Sequence, residues 1–219
     1  RLKTLSSQIY SATARIVYEL IQNADDCAFE DDGRLRALHV ECADDALVAY
    51  HNEKGFQPKD LYALCQVGES SKHAGSGKIG RKGIGFKSVF QISDRPLVIS
   101  PPFQFCFDTT ARGIFGYIVP TWLGQLEPHV PPKYQDLLRQ LCPSANAKGA
   151  AGEEDSGGSG APGTLLVCPY SPRVRGSDIM RDLSFDGLSL AFLKNLERIT
   201  FITSANASST SSSGTATAT

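Results

Sequence analysis

With 219 residues, 41% of them apolar and 21% charged, the chain can bury one substantial core and reads as a single folded domain. Its formal net charge of -1 excludes the strong global field that holds nucleic acid or an anionic membrane surface, and it has neither a secretory pattern nor an apolar run of about 18 residues. Six cysteines (Cys27, Cys42, Cys65, Cys106, Cys142, Cys168) lie far apart with no C-x-x-C pair, which argues against a zinc site or disulfide framework and for free thiols in a reducing compartment.

The chain opens at Arg1 without Met and reads as an excerpt of a longer soluble, intracellular protein, cytoplasmic or nuclear. From Leu5 to Cys27 the residues Ile9, Ala12, Ile16, Val17, Leu20, Ile21 and Ala24 recur near helical spacing with no Gly or Pro, which predicts a helix. Leu35 to Glu41 and Ala46 to His51 are β-rich runs joined by acidic turn residues and predict an antiparallel pair. Pro58 opens a short helix through Val67, and the small-residue segment Gly68 to Lys78 lacks apolar periodicity.

Gly83 to Phe90 reads as a helix, followed by three strand candidates, Ile92 to Ser100, Phe103 to Asp108 and Gly113 to Val119. Between Pro143 and Gly163 the composition collapses to Ala, Gly, Ser and Glu, which predicts a disordered insertion at about 143–162. A strand at Thr164 to Cys168, a helix around Leu188 to Leu196 and a strand at Arg198 to Ile202 complete a domain over 1–203. The Ser/Thr/Ala tail at 204–219 reads as a linker.

Two segments carry chemistry. In Glu19-Leu20-Ile21-Gln22-Asn23-Ala24-Asp25-Asp26, helical geometry places Asn23 about 40° and Asp26 about 20° from the direction of Glu19. An oxygen-lined face of this kind suits Mg²⁺ beside a phosphate, and a second carboxylate can take a proton from water. The alternative is a solvated face with Arg15 pairing Glu19. In Gly80-Arg81-Lys82-Gly83-Ile84-Gly85-Phe86 the glycines let backbone approach a phosphate at the start of a helix; the alternative is a plain structural turn. Neither a dinucleotide fingerprint nor a P-loop fits: Gly75 to Gly80 follows no strand, and Phe86 separates Gly85 from Lys87.

On these residues the chain resembles the GHKL superfamily of Bergerat-fold ATPases and, within it, the sacsin and NO VEIN group. Glu19 to Asp26 resembles the N-box, Gly80 to Phe90 the second glycine box, and Gly163-Thr164 the late Gly-Thr motif, over about residues 5 to 203. The resemblance implies an α+β fold, a two-layer α/β sandwich with a mixed, mostly antiparallel sheet and helices on one face. It makes Glu19 the general base, Asn23 the Mg²⁺ ligand with Asp26 beside it, and Gly80, Gly83 and Gly85 the phosphate cradle, flanked by Ile84 and Phe86. Thr164 becomes a polar contact near adenine.

A lid over about Gly68 to Ile79 would carry Lys72 and Lys78, which either reach phosphate or stay solvated. One departure stands out. The family's first glycine box reads D-x-G-x-G, whereas here the stretch is His51-Asn52-Glu53-Lys54-Gly55-Phe56; Gly55 is kept, the Asp position falls on His51 and the first Gly on Glu53. His51 or Asn52 could accept from an adenine amino group, or both merely end a strand.

The expected function is a Mg-ATP-binding module, with ATP and Mg²⁺ as cofactors, slow hydrolysis and lid closure as a switch. Its expected partners are ATP and ADP, with protein clients, other domains of the same chain or a second copy also compatible; nucleic acid and membrane are not expected. The alternatives are a non-hydrolysing or scaffolding module that keeps the fold and, more remotely, a phosphotransferase of the sensor-kinase kind. Cys27, beside the first motif, reads as a small packed residue rather than a redox switch.

Overall fold

The computed structural model describes residues 15–66, 85–143, 161–181, 193–203 and 215–217. An eight-stranded mixed sheet organises them. Its strands, in chain order, are β1 (Ala37–Cys42), β2 (Ala46–His51), β3 (Leu97–Ser100), β4 (Phe103–Cys106), β5 (Thr121–Trp122), β6 (Thr164–Pro169), β7 (Arg198–Thr203) and β8 (Thr215–Thr217). They lie in the order β5-β4-β3-β6-β2-β1-β7-β8. Only β1 and β7 run parallel; every other neighbouring pair is antiparallel.

The expected hairpin forms with Leu38 opposite His51 and Cys42 opposite Leu47. Strand β6, bracketed by β3 and β2, is buried at five successive positions from Thr164 to Cys168. A strand buried on both faces needs cover on both, and this chain supplies it.

One face packs under α1 (helical over residues 15–25), α2 (Pro58–Cys65), a 3₁₀ turn at Phe86–Gln91 and α5 (Gly176–Arg181). Ile16, Val17, Leu20 and Ile21 of α1 meet Leu38, Val40, Ala49, Val98 and Leu166 of the sheet in one core. The opposite face is covered by residues 126–142, including α4 (Gln135–Leu141): Leu126, Val130, Leu138 and Leu141 pack on Val48, Ile99, Leu165 and Val167. Helices on one face alone was therefore too simple an expectation. The inward residues of β2, β3 and β6 alternate between two cores, and the second core needs its own helix.

Other expectations change too. Gly113 to Val119 is not a strand: Asp108 caps α3 (Thr109–Arg112) by accepting from Ala111 N at 2.8 Å, Gly113 follows at φ +56°, and Gly113–Tyr117 coils as a 3₁₀ helix. Gly116 presses so closely on Asp108 and Thr109 that a Cβ there would stand 2.6 Å from Thr109 Cα. The segment Phe86–Gln91 is 3₁₀ rather than α-helix. Leu193 to Leu196 form a turn rather than helix, and Thr215–Thr217 of the expected linker pair with β7 as an edge strand. Positions 1–14, 144–160 and 182–192, on which parts of the long first helix, the insertion and the late helix were expected, lie outside the described residues.

Adjacent acids at the end of α1 have different fates. Asp25 is buried, and its carboxylate accepts from the backbone N–H groups of Lys194, Asn195 and Leu196 at 2.8 to 3.1 Å, while Asn195 Nδ2 donates to Asp25 O at 2.6 Å. This ties α1 to the turn that launches β7. No helix in the described residues is long and apolar enough to cross a membrane.

On the α4 side a polar cluster bridges layers. Tyr134 OH donates to Glu41 Oε2, and Lys133 Nζ donates to the same oxygen at 2.8 Å. Since Tyr134 spends its one hydrogen on Glu41, its oxygen accepts from His39 Nε2, 3.1 Å away, which sets the imidazole tautomer. Burial pushes the His39 pKa down. Burial alone would raise the Glu41 pKa, but the bonds from Lys133 and Tyr134 outweigh it and hold the carboxyl below its ordinary value of 4.5. Ionised Glu41 therefore stabilises the fold above the unfolded pKa and loses that contribution as pH falls through the lower folded value. Glu41→Gln is expected to lower stability by about 1 kcal/mol at pH 7, the low end because Lys133 is half-exposed. In urea titrations across pH, the gap to wild type should close as pH drops below about 4.5.

Candidate functional site

The cleft lies between the α1 side and the sheet and opens partly to solvent. Its walls are apolar: Leu20 from α1, Leu38, Ala49, Val98 and Leu166 from the sheet, with Phe56, Leu64 and Phe86 closing the sides. Among the described residues, six polar groups line it, namely Asn23, Cys27, His51, Glu53, Asp60 and Thr164. A mostly apolar hollow with a few convergent polar groups is the usual form of a small-molecule site.

The deep end is built at the paired ends of β2 and β6, where His51 stands opposite Thr164. Beyond β2 the chain turns through Gly55, whose φ of +89° favours glycine. That turn leaves Glu53 only 4% exposed. Thr164 Oγ1 donates to Glu53 Oε1 at 2.5 Å, and the Ser100 and Thr164 hydroxyls are 2.7 Å apart. Thr164 has one hydrogen and a carboxylate accepts only, so Ser100 supplies the proton between the hydroxyls. Ser100 Oγ in turn accepts from Phe56 N at 2.8 Å. The relay fixes the acid through three segments of chain.

Gly163 is needed for the same junction. Its φ is +151°, and a Cβ there would stand 2.8 Å from Tyr50 Cε2 and 3.0 Å from His51 O. The late Gly-Thr motif therefore has two physical reasons, close approach by Gly163 and a hydroxyl from Thr164.

The other end is set by Gly85. A Cβ on Gly85 would collide with Glu19 Oε2 and lie 3.7 Å from Asn23 Nδ2. The two sequence motifs thus meet in space, the glycine of one against the acid and amide of the other. Arg15 Nε is 4.0 Å from Glu19 Oε1 and its side chain is 73% exposed, so the expected i, i+4 pair is a weak restraint. Cys27 Sγ donates to Asn23 O at 3.0 Å. Glu19 and Asn23 lie one turn apart on one face of α1, and Cys27 follows just past its end.

The sequence-named residues divide on inspection. Asn23, His51, Phe86 and Thr164 line the cleft; Glu19, Gly55 and Gly85 are not among its lining residues, although Gly85 packs against Glu19 and Asn23. Asp26 is exposed past the end of α1 and does not line it. Asn52 is committed elsewhere: its Oδ1 accepts from Ala37 N at 2.8 Å and its Nδ2 donates to Leu35 O at 2.9 Å, so it fastens the start of β1. Lys72, Lys78, Gly80, Gly83 and Ile84 lie outside the described residues.

Sequence reasoning missed Glu53 and Asp60 as lining residues. The signal for Glu53 was present, since Glu53-x-Gly55 is an acid two residues before a glycine. His51 was instead expected at the Asp position and Glu53 at the first glycine of the box.

The fold and the cleft define a mixed α/β domain, with a buried acid and a glycine-approached acid and amide brought to its helical side. The chain belongs to the sacsin domain family, whose profile matches residues 1–115. It is 43% identical over 126 residues to Protein NO VEIN of Arabidopsis thaliana, a match covering 55% of this chain and 4% of that protein. It is 31% identical over 131 residues to human Sacsin, covering 54% of this chain and 3% of that protein. The family match contains Glu19, Asn23, His51, Glu53 and Gly85, but not Thr164.

Removing the hydroxyl that serves the buried acid tests this geometry. Thr164→Val keeps the shape but removes the hydrogen bond that Thr164 donates to Glu53, and it is expected to cost about 2 kcal/mol in denaturant unfolding. In Glu53→Gln the same substitution should cost less, because the charge that needed the donor is gone. The double-mutant cycle reads that coupling directly.

Proposed function

We propose that this chain is a Mg-ATP-binding module of the Bergerat type that hydrolyses ATP slowly. The observation that carries the reading is the Glu53–Thr164 pair at the end of an apolar cleft whose other end brings Glu19 and Asn23 against Gly85. A flat base fits between apolar walls, and a buried carboxylate is the acceptor that an exocyclic amino group requires. On this reading Glu53, not His51, stands where the family's aspartate does, with Gly55 as the first glycine of the box. Glutamate is longer by one methylene, and its retreat from the cleft is limited by the Thr164 hydroxyl that holds it.

Toward the Gly85 end, glycine backbone suits a phosphate chain once the Glu19 carboxylate beside it swings aside. Asn23, a cleft-lining amide beside Gly85, would offer one oxygen to Mg²⁺, which when bound supplies charge neutralisation for the phosphates. Glu19 faces the same spot and is the group to orient and deprotonate an attacking water. The lid, with Lys72 and Lys78, and its closure as a switch within a longer protein extend the proposal. What the family's large members do as whole proteins belongs to the proposal as well, since the chain spans only 3 to 4% of the curated relatives it matches.

Calorimetric titration of the 219-residue chain with Mg-ATP, then ADP, provides the test. Saturable binding is expected, weakened at least about tenfold by Gly85→Ala, whose methyl group must displace Glu19. Glu19→Ala should retain nucleotide and lose turnover by about a hundredfold or more, the scale of a positioned general base. A folded chain that binds no nucleotide would leave the scaffold reading, in which the cleft is a relic of the fold.

A further inference from the structure

We propose that Cys27, His51 and Glu53 form a site for a first-row divalent transition metal, zinc above all, inside the cleft. The thiol, an imidazole nitrogen and a carboxylate oxygen of these three residues all lie within 4.8 Å of one another. In a tetrahedral site with a metal–sulfur distance of about 2.3 Å and metal–nitrogen or metal–oxygen distances of about 2.0 to 2.2 Å, ligand atoms stand roughly 3.3 to 3.6 Å apart. The separations exceed that triangle by at most about 1.5 Å, so binding draws the three side chains together.

The donor set selects the ion. Thiolate and imidazole are poor ligands for Mg²⁺ or Ca²⁺, which take oxygen, and good ones for zinc and its neighbours. Three protein ligands would leave one position, and all three residues line the cleft. The surroundings already orient the acid. Thr164 Oγ1 donates to Glu53 Oε1, an outer hydrogen bond of the kind that orients a ligating carboxylate. Ser100 holds Thr164 in turn.

The proton balance is simple. Cys27 donates its S–H to Asn23 O at 3.0 Å in the metal-free chain. On binding, the thiol loses that proton to solvent and ligates as thiolate, while the imidazole ligates neutral. No oxidant or reductant enters.

This site does not depend on the nucleotide reading. If that reading holds, however, Glu53 serves both ligands, and a bound zinc ion excludes a purine from the same corner.

Cobalt substitution reads the site without any assay of activity. The full chain, reduced and free of metal, is titrated with Co²⁺ and the absorption followed in the near-ultraviolet and visible. One equivalent should produce a thiolate-to-cobalt charge-transfer band and intense visible bands of tetrahedral cobalt, both abolished by one equivalent of Zn²⁺. Cys27→Ser should remove the charge-transfer band, and His51→Gln and Glu53→Gln should each weaken binding at least about tenfold. Cys65→Ser, a change at another half-buried thiol, should leave the spectrum intact. Circular dichroism verifies that each variant is folded. A wild-type chain without the charge-transfer band, or a band that survives in Cys27→Ser, would overturn the proposal.

Discussion

A carboxylate on the floor of an apolar cleft is costly unless something donates to it, and much of this site is arranged around supplying that donor. Glu53 is 4% exposed because the left-handed turn at Gly55 folds the chain inward after β2. Its donor is Thr164, the first residue of β6, which reaches Glu53 because β6 pairs with β2 in the register that sets Thr164 against His51. That junction closes only with glycine at position 163, since any side chain would meet Tyr50 and the His51 carbonyl. Ser100, at the end of β3, joins the relay from the other side of β6. One buried acid thus constrains the ends of three adjacent strands and the turn that leaves the second.

The opposite end of the cleft depends on a different close approach. Gly85 lies where a methyl group would run into Glu19, so the helix α1 and the segment leading into Phe86–Gln91 are tuned to each other's surface. Their relative position is held by the common core, in which Ile16, Leu20, Phe86 and Val89 meet. Asp25 anchors the far end of α1 to the turn before β7 through three backbone N–H groups. The helix that carries Glu19 and Asn23 is thereby fixed at both ends of its described length. A site whose geometry must be precise is well served by such an element.

How much of this is legible in the sequence depends on the range of the interaction. Local signals read well: the periodicity of α1, the β1–β2 hairpin, Pro58 at the start of α2 and the apolar run of β6 all form close to where their residues predict them. Glu19, Asn23 and Thr164 stood out as candidates because motif spacing and a glycine turn are local features, and of these Asn23 and Thr164 line the cleft. Burial is not local, and the errors cluster there. Asp25 and Asp26 are indistinguishable by type, yet one is buried and bonded and the other exposed. Asn52 looked like a ligand contact and is instead a strand clasp. Cys27 and His51 are separated by 24 positions, so no spacing rule for metal ligands could join them; only the packing of α1 on β2 does. The second core failed to register for a related reason, because residues 126–142 contain short turns and one short helix, without a long amphipathic pattern.

The central claim is that Glu53 reads the amino group of adenine. Comparing Mg-ATP with Mg-ITP in the same calorimetric titration tests it most directly, since hypoxanthine places a carbonyl where adenine has its amino group. The account predicts that ATP binds at least about tenfold more tightly, because the carbonyl would face a buried carboxylate with no hydrogen to share. Equal affinity for the two nucleotides would contradict it.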